Sequence, residues 1–153
     1  MLTTLDLIKQ TAYTLDEPTS VVSATDINAI NAKLDNYGWM DGALILYSSQ
    51  ANGSVLLDQS GKARLTESVL LTFALDTTRQ DEDFQDKAGH LLALAVQFTQ
   101  KLIRQEAFKA VPDNNTLQGI NYNKEAYKYN GQFALVTLTF TLTFDPSIKT
   151  PKC

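Results

Sequence analysis

The sequence predicts an α+β domain: one sheet of about five strands, antiparallel or mixed, with a long helix packed on one face and short helices ahead of it, in the order α-α-β-β-β-α-β-β. Three observations carry this reading. Residues 133–144 alternate apolar residues with threonine without a fault, the period of a strand with one buried face. Residues 83–108 carry apolar side chains at steps of four and three, the stripe of an amphipathic helix. The prolines, Pro18, Pro112, Pro146 and Pro151, all fall where these periods break, so none damages an element.

In chain order, Leu2, Leu5, Ile8 and Ala12 recur at helical spacing, and Thr3 with Asp6 has the form of a capping box, which predicts a helix over residues 3–14. A second helix is expected after Ser23 as cap, with Asp26 three residues on and Ile27, Ile30 and Leu34 on one face, so that residues 3–36 are the helical N-terminal part. A three-stranded meander follows over residues 43–78. Its first strand, residues 43–49, should turn back at Asn52-Gly53 into Ser54–Asp58. A second turn at Ser60-Gly61-Lys62 leads into a strand from Ala63 to Leu75, with Leu65, Val69, Leu71, Phe73 and Leu75 on one face and Arg64, Thr66, Ser68 and Thr72 on the other. Glu67 interrupts the apolar face. The long helix is expected over residues 82–109, with Phe84, Ala88, Leu91, Ala95, Phe98 and Leu102 in its stripe, acids at its start and Lys101, Arg104 and Lys109 at its end. A C-terminal hairpin over residues 117–145 turns at Tyr129-Asn130-Gly131-Gln132, and residues 146–153 are a tail. At about 3.4 Å per residue the last strand reaches roughly 40 Å, close to the length of the helix, so the helix can lie along the sheet. The 153 residues form a single domain, with no linker long enough to divide them.

Composition narrows the function. With 44% hydrophobic and 20% charged residues the chain has the profile of a globular domain able to bury its own core. Its only cysteine, Cys153, excludes a disulfide framework and a zinc cluster of paired thiolates. The net charge of -4 argues against a surface that wraps nucleic acid or docks on anionic lipid. MLTTLDLIKQ mixes charge among its apolar residues and resembles neither a secretory signal nor a membrane anchor, so a soluble protein made in a reducing cytoplasm is expected.

Each chemistry-bearing candidate has a plainer alternative. His90 is the sole histidine, which leaves no two-histidine metal site, and no motif ties a nucleophile to it; a solvated histidine on the helix rim is expected. The acidic run Asp81–Asp86 hints at calcium, but the glycine of a calcium loop is missing and its twelfth position is Leu92, so a dipole-matched helix start is expected. Tyr122, Lys124, Tyr127, Lys128 and Tyr129 interleave aromatic and basic residues as single-strand binders do, against which stand Glu125 and the acidic total. The row Thr137, Thr139, Thr141 and Thr143 is either a solvated sheet face or a sheet face or edge that pairs with a neighbouring subunit, because strands without charge lack the usual protection against association. Leu70, Thr72, Tyr127 and Tyr129 join that row as the candidate subunit interface.

The order of elements, with TESVLLTFALDTT (66–78), DEDFQDKAGHLLALAVQFTQKLI (81–103) and LVTLTFTLTFD (135–145), resembles the tail-terminator and tail-completion proteins of tailed bacteriophages over residues 1–145. The resemblance is one of topology and length. It implies a structural virion protein that forms a ring, six-fold or alternatively twelve-fold, at the head-proximal end of the tail. The ring would stop growth of the tail tube and join it to the neck, contacting tail-tube and connector proteins while DNA passes through the lumen unread. Such a protein is made in the bacterial host's cytoplasm and resides in the virion, with no membrane, cofactor or catalytic residue. The rival readings are a hot-dog-like thioesterase or ligand-binding domain, for which Glu67 is the one plausible base, and an assembly chaperone that stays outside the particle.

Overall fold

In the computed structural model, which describes residues 1–24, 43–76, 81–105, 108, 117–126 and 133–147, the chain is an α+β fold with one mixed sheet. Helix α1 spans Thr4–Tyr13. The Thr3 side chain accepts from the Asp6 amide and the Asp6 carboxylate accepts from the Thr3 amide, so the expected capping box is complete. Strands β1 (Thr19–Ala24), β2 (Ala43–Leu57), β3 (Ala63–Asp76), β4 (Leu117–Ala126) and β5 (Phe133–Phe144) lie in the order β1-β2-β3-β5-β4. Helix α2 runs from Asp81 to Leu102, starting on the acidic run as expected and ending before the predicted limit; Asp83 and Lys87 form an i,i+4 ion pair at 3.4 Å within it.

Two expectations are corrected. Residues 19–24 are not part of a helical region but a strand that pairs parallel with β2, Thr19 opposite Ala43 through Ala24 opposite Ser48, and this makes the sheet mixed. The β-branched pair Val21-Val22 carries that strand: Val22 is buried with Leu44 and Leu46, while Val21 packs toward the helices. Ser23, expected to cap the second helix, is therefore a strand residue, and the rest of that helix lies outside the described residues.

The second correction concerns Asn52-Gly53, which does not reverse the chain. β2 continues antiparallel to β3 on both sides of it, with Ser49 opposite Val69 and Gly53 opposite Glu67. Three residues of β2 thus span the single Ser68 of β3, a bulge that keeps the strand on course. Glycine is required there for space: a Cβ at residue 53 would lie 2.8 Å from the Thr66 carbonyl oxygen. The predicted meander is accordingly one long hairpin, and its only reversal is at Asp58–Lys62. There the Asp58 carboxylate accepts from the Ser60 amide, the Ser60 hydroxyl and the Lys62 amide, and Gly61 takes φ +84.

Both helices cover one face of the sheet. Leu7, Ile8 and Ala12 from α1 and Leu91, Ala95, Phe98 and Leu102 from α2 join Ile45, Leu71, Phe73 and the even-numbered residues of β5 in one core. Phe73 and Phe98 meet edge to face with centroids 5.8 Å apart. Polar seams fix the helices in place: Gln105 donates to the Thr11 hydroxyl, and Gln97 donates to Asp16 at 2.8 Å. The Leu2 amide donates to the Pro146 carbonyl, tying the start of the fold to the end of β5.

Candidate interaction surface

The face of the sheet turned away from the helices is set by register. Thr137, Thr139, Thr141 and Thr143 on β5 stand opposite Thr72, Leu70, Ser68 and Thr66 on β3. Each pair shares a face, so alternation on two neighbouring strands builds one uncharged band. Its ends are closed by hydroxyl pairs, Thr72 with Thr137 at 3.3 Å and Thr66 with Thr143 at 2.9 Å. Between them Ser68, Leu70, Thr139 and Thr141 line a shallow depression of about 330 Å³ whose far side is Gly119 of β4. The four threonines of β5 are half-buried.

This surface differs from the expected one in two ways: β3 and β5 are interior strands paired on both sides, so neither offers an edge to a neighbour, and one end of the face is closed. Thr72 is 3% exposed and cannot serve a partner. Beside it Val22, Leu44, Leu46, Ala74, Phe133 and Leu135 form a second buried cluster on this same outer face. The accessible part of the candidate interface is therefore centred on Leu70, Thr139 and Thr141. Tyr127 and Tyr129, assigned to the same interface, lie outside the described residues, as does Lys128. Tyr122 and Lys124, paired with Leu138 and Val136, fall on the helix side of β4, away from the threonines.

The remaining candidates find structural partners. The Glu67 carboxylate accepts a hydrogen bond from the hydroxyl of Thr4, a buried residue in the first turn of α1. A carboxylate on an otherwise apolar strand face thus anchors a helix, which accounts for its position. His90 sits on the exposed side of α2, with Nε2 2.8 Å from a Glu17 carboxylate oxygen. Together with Asp16, Ala93, Leu94 and Gln97 they line a depression of about 240 Å³ between α2 and the segment after α1. Its polar groups are mostly spent on each other. Among the described residues no group of three or more histidine, cysteine, aspartate or glutamate side chains is placed to hold a metal ion, and no helix is long and apolar enough to cross a membrane.

Near the hairpin reversal Asp145 is 2% exposed. Burial raises its pKa, but hydrogen bonds from the Ser147 hydroxyl and amide, with Lys62 at 3.4 Å, outweigh burial and hold it below the ordinary carboxylate value. Asp58 is likewise lowered, first by the Ser60 hydroxyl and then by the Lys62 amide.

One feature escaped sequence reasoning. Residues from Gly53 to Lys62 are all exposed, and among them Val55, Leu56 and Leu57 are 65%, 49% and 70% exposed. The signal was legible as three consecutive apolar residues, which no strand with a single buried face requires. It was concealed by the expectation of a turn at Asn52-Gly53. Comparison of the sequence with known protein families and with curated proteins finds no match in either.

Proposed function

We propose that the chain is a structural protein of a tailed-bacteriophage virion, one of several copies in a ring at the head-proximal end of the tail that ends the tail tube and joins it to the neck. The observation that supports this reading most is the uncharged band of β3 and β5. From Phe133 to Phe144 no residue carries charge, and Ser68, Leu70, Thr139 and Thr141 present hydroxyls and one aliphatic side chain around an open depression. β3 and β5 are interior strands with both edges paired, so the band can meet a neighbour only through its face, and an uncharged sheet face around an aliphatic side chain is the composition that suits a subunit interface. A ring requires a heterologous contact, in which this band meets a different surface of the next copy. An acidic chain of net charge -4 also suits a lumen through which DNA moves without being gripped. In this reading the chain is not an enzyme, and its partners are its own copies, the tail tube and the neck.

The test is the double substitution Thr139→Lys with Thr141→Lys. Lysine stems lie along the sheet while the ammonium groups reach solvent, so the fold is retained, but each contact between copies acquires two buried charges. Rings seen by negative stain for the wild type should disappear, with an unchanged circular dichroism spectrum. Rings that persist in the variant would remove the band from the interface.

A further inference from the structure

Beyond the bulge at Gly53, β2 is bordered by β3 alone, and past Leu65 the β2–β3 hairpin runs beyond the end of β5. β1 pairs with β2 only from Ala43 to Ser48, so among the described residues no strand other than β3 borders β2 from Gly53 to Leu57. Its outward amide and carbonyl groups form an open edge. Val55 and Leu57 lie on the helix-side face, level with Leu65 and Ala63 respectively, and Leu56 lies on the opposite face, level with Arg64. Apolar side chains of β2 thus project from both sides of this arm, whose β3 half is held to α1 through Thr4 and Glu67. No residue from Ala43 to Leu57 is charged, so this edge lacks the lysine that ordinarily keeps strands apart.

The pattern along the edge selects the occupant. In an antiparallel pair related by a two-fold axis through Leu56, Leu56 faces its own copy, Val55 faces Leu57, and Ser54 faces Asp58. All three apolar residues then pair with apolar residues, and the single carboxylate meets a hydroxyl, not its own kind. The other edge of the sheet fits less well. β4 is broken by a register shift between Gln118 and Asn121, with Gly119 at φ +63, and it carries Lys124 and Glu125 toward its end. Its one regular run, Asn121–Ala126, contains both of these charges, which guard that edge against an incoming strand.

We infer that the arm is a dimerisation element: the free edge of β2 at Ser54–Asp58 pairs antiparallel with the same segment of a second copy, joining two sheets into one. The inference stands on the exposure and pattern of the arm and does not depend on the virion reading. If rings also form through the threonine band, the two-fold contact joins two rings face to face.

Cysteine cross-linking in the full chain tests the register. In a Cys153→Ser background, Leu56→Cys brings two thiols onto the axis with Cα atoms about 4.5–5.5 Å apart, inside the range a disulfide spans. Under mild oxidation Leu56→Cys is expected to form a covalent dimer roughly tenfold faster than Ile120→Cys on β4, the factor that about 1.4 kcal/mol of pairing supplies. Equal rates, or cross-linking of Leu56→Cys only when mixed with Ile120→Cys, would overturn the inference; the second result would show the arm adding to β4 instead. Combined with Thr139→Lys and Thr141→Lys the Leu56→Cys cross-link should persist. Its loss there would overturn the arm as a contact of its own, whereas loss of rings with the cross-link intact would leave it standing.

Discussion

The two ends of the β2–β3 hairpin have different surroundings although they belong to the same pair of strands. At the body end, Ile45, Leu71 and Phe73 are buried against the helices, and Leu46, Thr72 and Ala74 are buried on the opposite face. At the arm end, Val55, Leu56 and Leu57 are exposed on both faces. On β2 the two ends are alike in composition, since Ala43–Tyr47 and Val55–Leu57 are both apolar and uncharged. What changes is whether the rest of the chain reaches them. An apolar strand that its own fold leaves uncovered reads as a surface for another molecule, because burial of such a side chain is worth about 1.5–3 kcal/mol only where something covers it.

The contrast can be broken most severely in the body. Phe98→Ala removes the ring that meets Phe73 edge to face and opens a cavity, and should cost about 3–5 kcal/mol of unfolding free energy in denaturant titration. Leu57→Ala on the arm should change it by less than about 0.5 kcal/mol in the isolated chain. Comparable losses at the two sites would mean that the arm is covered in solution.

An intermediate effect is expected at the link between α1 and the sheet. Thr4→Val leaves the Glu67 carboxylate without its donor and should cost about 1–3 kcal/mol. A change near zero would return Glu67 to the list of groups free for chemistry.

The smallest effect lies beside the hairpin reversal, and it is present at neutral pH and lost in acid. Asp145 has a folded pKa below the unfolded value of about 3.9, so its contribution is fully present above that value and is lost as pH falls through the folded pKa. Asp145→Asn should therefore lower stability at pH 7 and flatten its decline below about pH 4. An acid limb identical to wild type would show that the Ser147 and Lys62 contacts do not favour the ionised form.

Sequence reasoning reached the parts of the fold where one period runs uninterrupted. Residues 133–144 alternate over a whole strand, and the α2 stripe holds from Phe84 to Leu102, so both were legible with the correct buried faces. The cap of α1 was legible because Thr3 and Asp6 satisfy a local rule. β1 was missed because six residues are too few to establish a period, and the strand it pairs with, at Ala43–Ser48, is distant in sequence. Asn52-Gly53 misled for a related reason: the same dipeptide serves a tight turn or a bulge, and the choice is made by the approach of the Thr66 carbonyl, a contact between strands. The threonine band was visible as a row on one strand. The burial of its Thr72 end depends on neighbours from β1 and β2 that no single strand reveals.

Sedimentation of the purified chain over a rising concentration series tests most directly the claim that its uncovered strands exist for other copies of itself. Species heavier than the 16.9 kDa monomer should appear and grow with concentration, and Thr139→Lys with Thr141→Lys should remove the largest of them. A strict monomer up to about 1 mM, where even a contact worth only 4 kcal/mol would be half formed, would contradict the account.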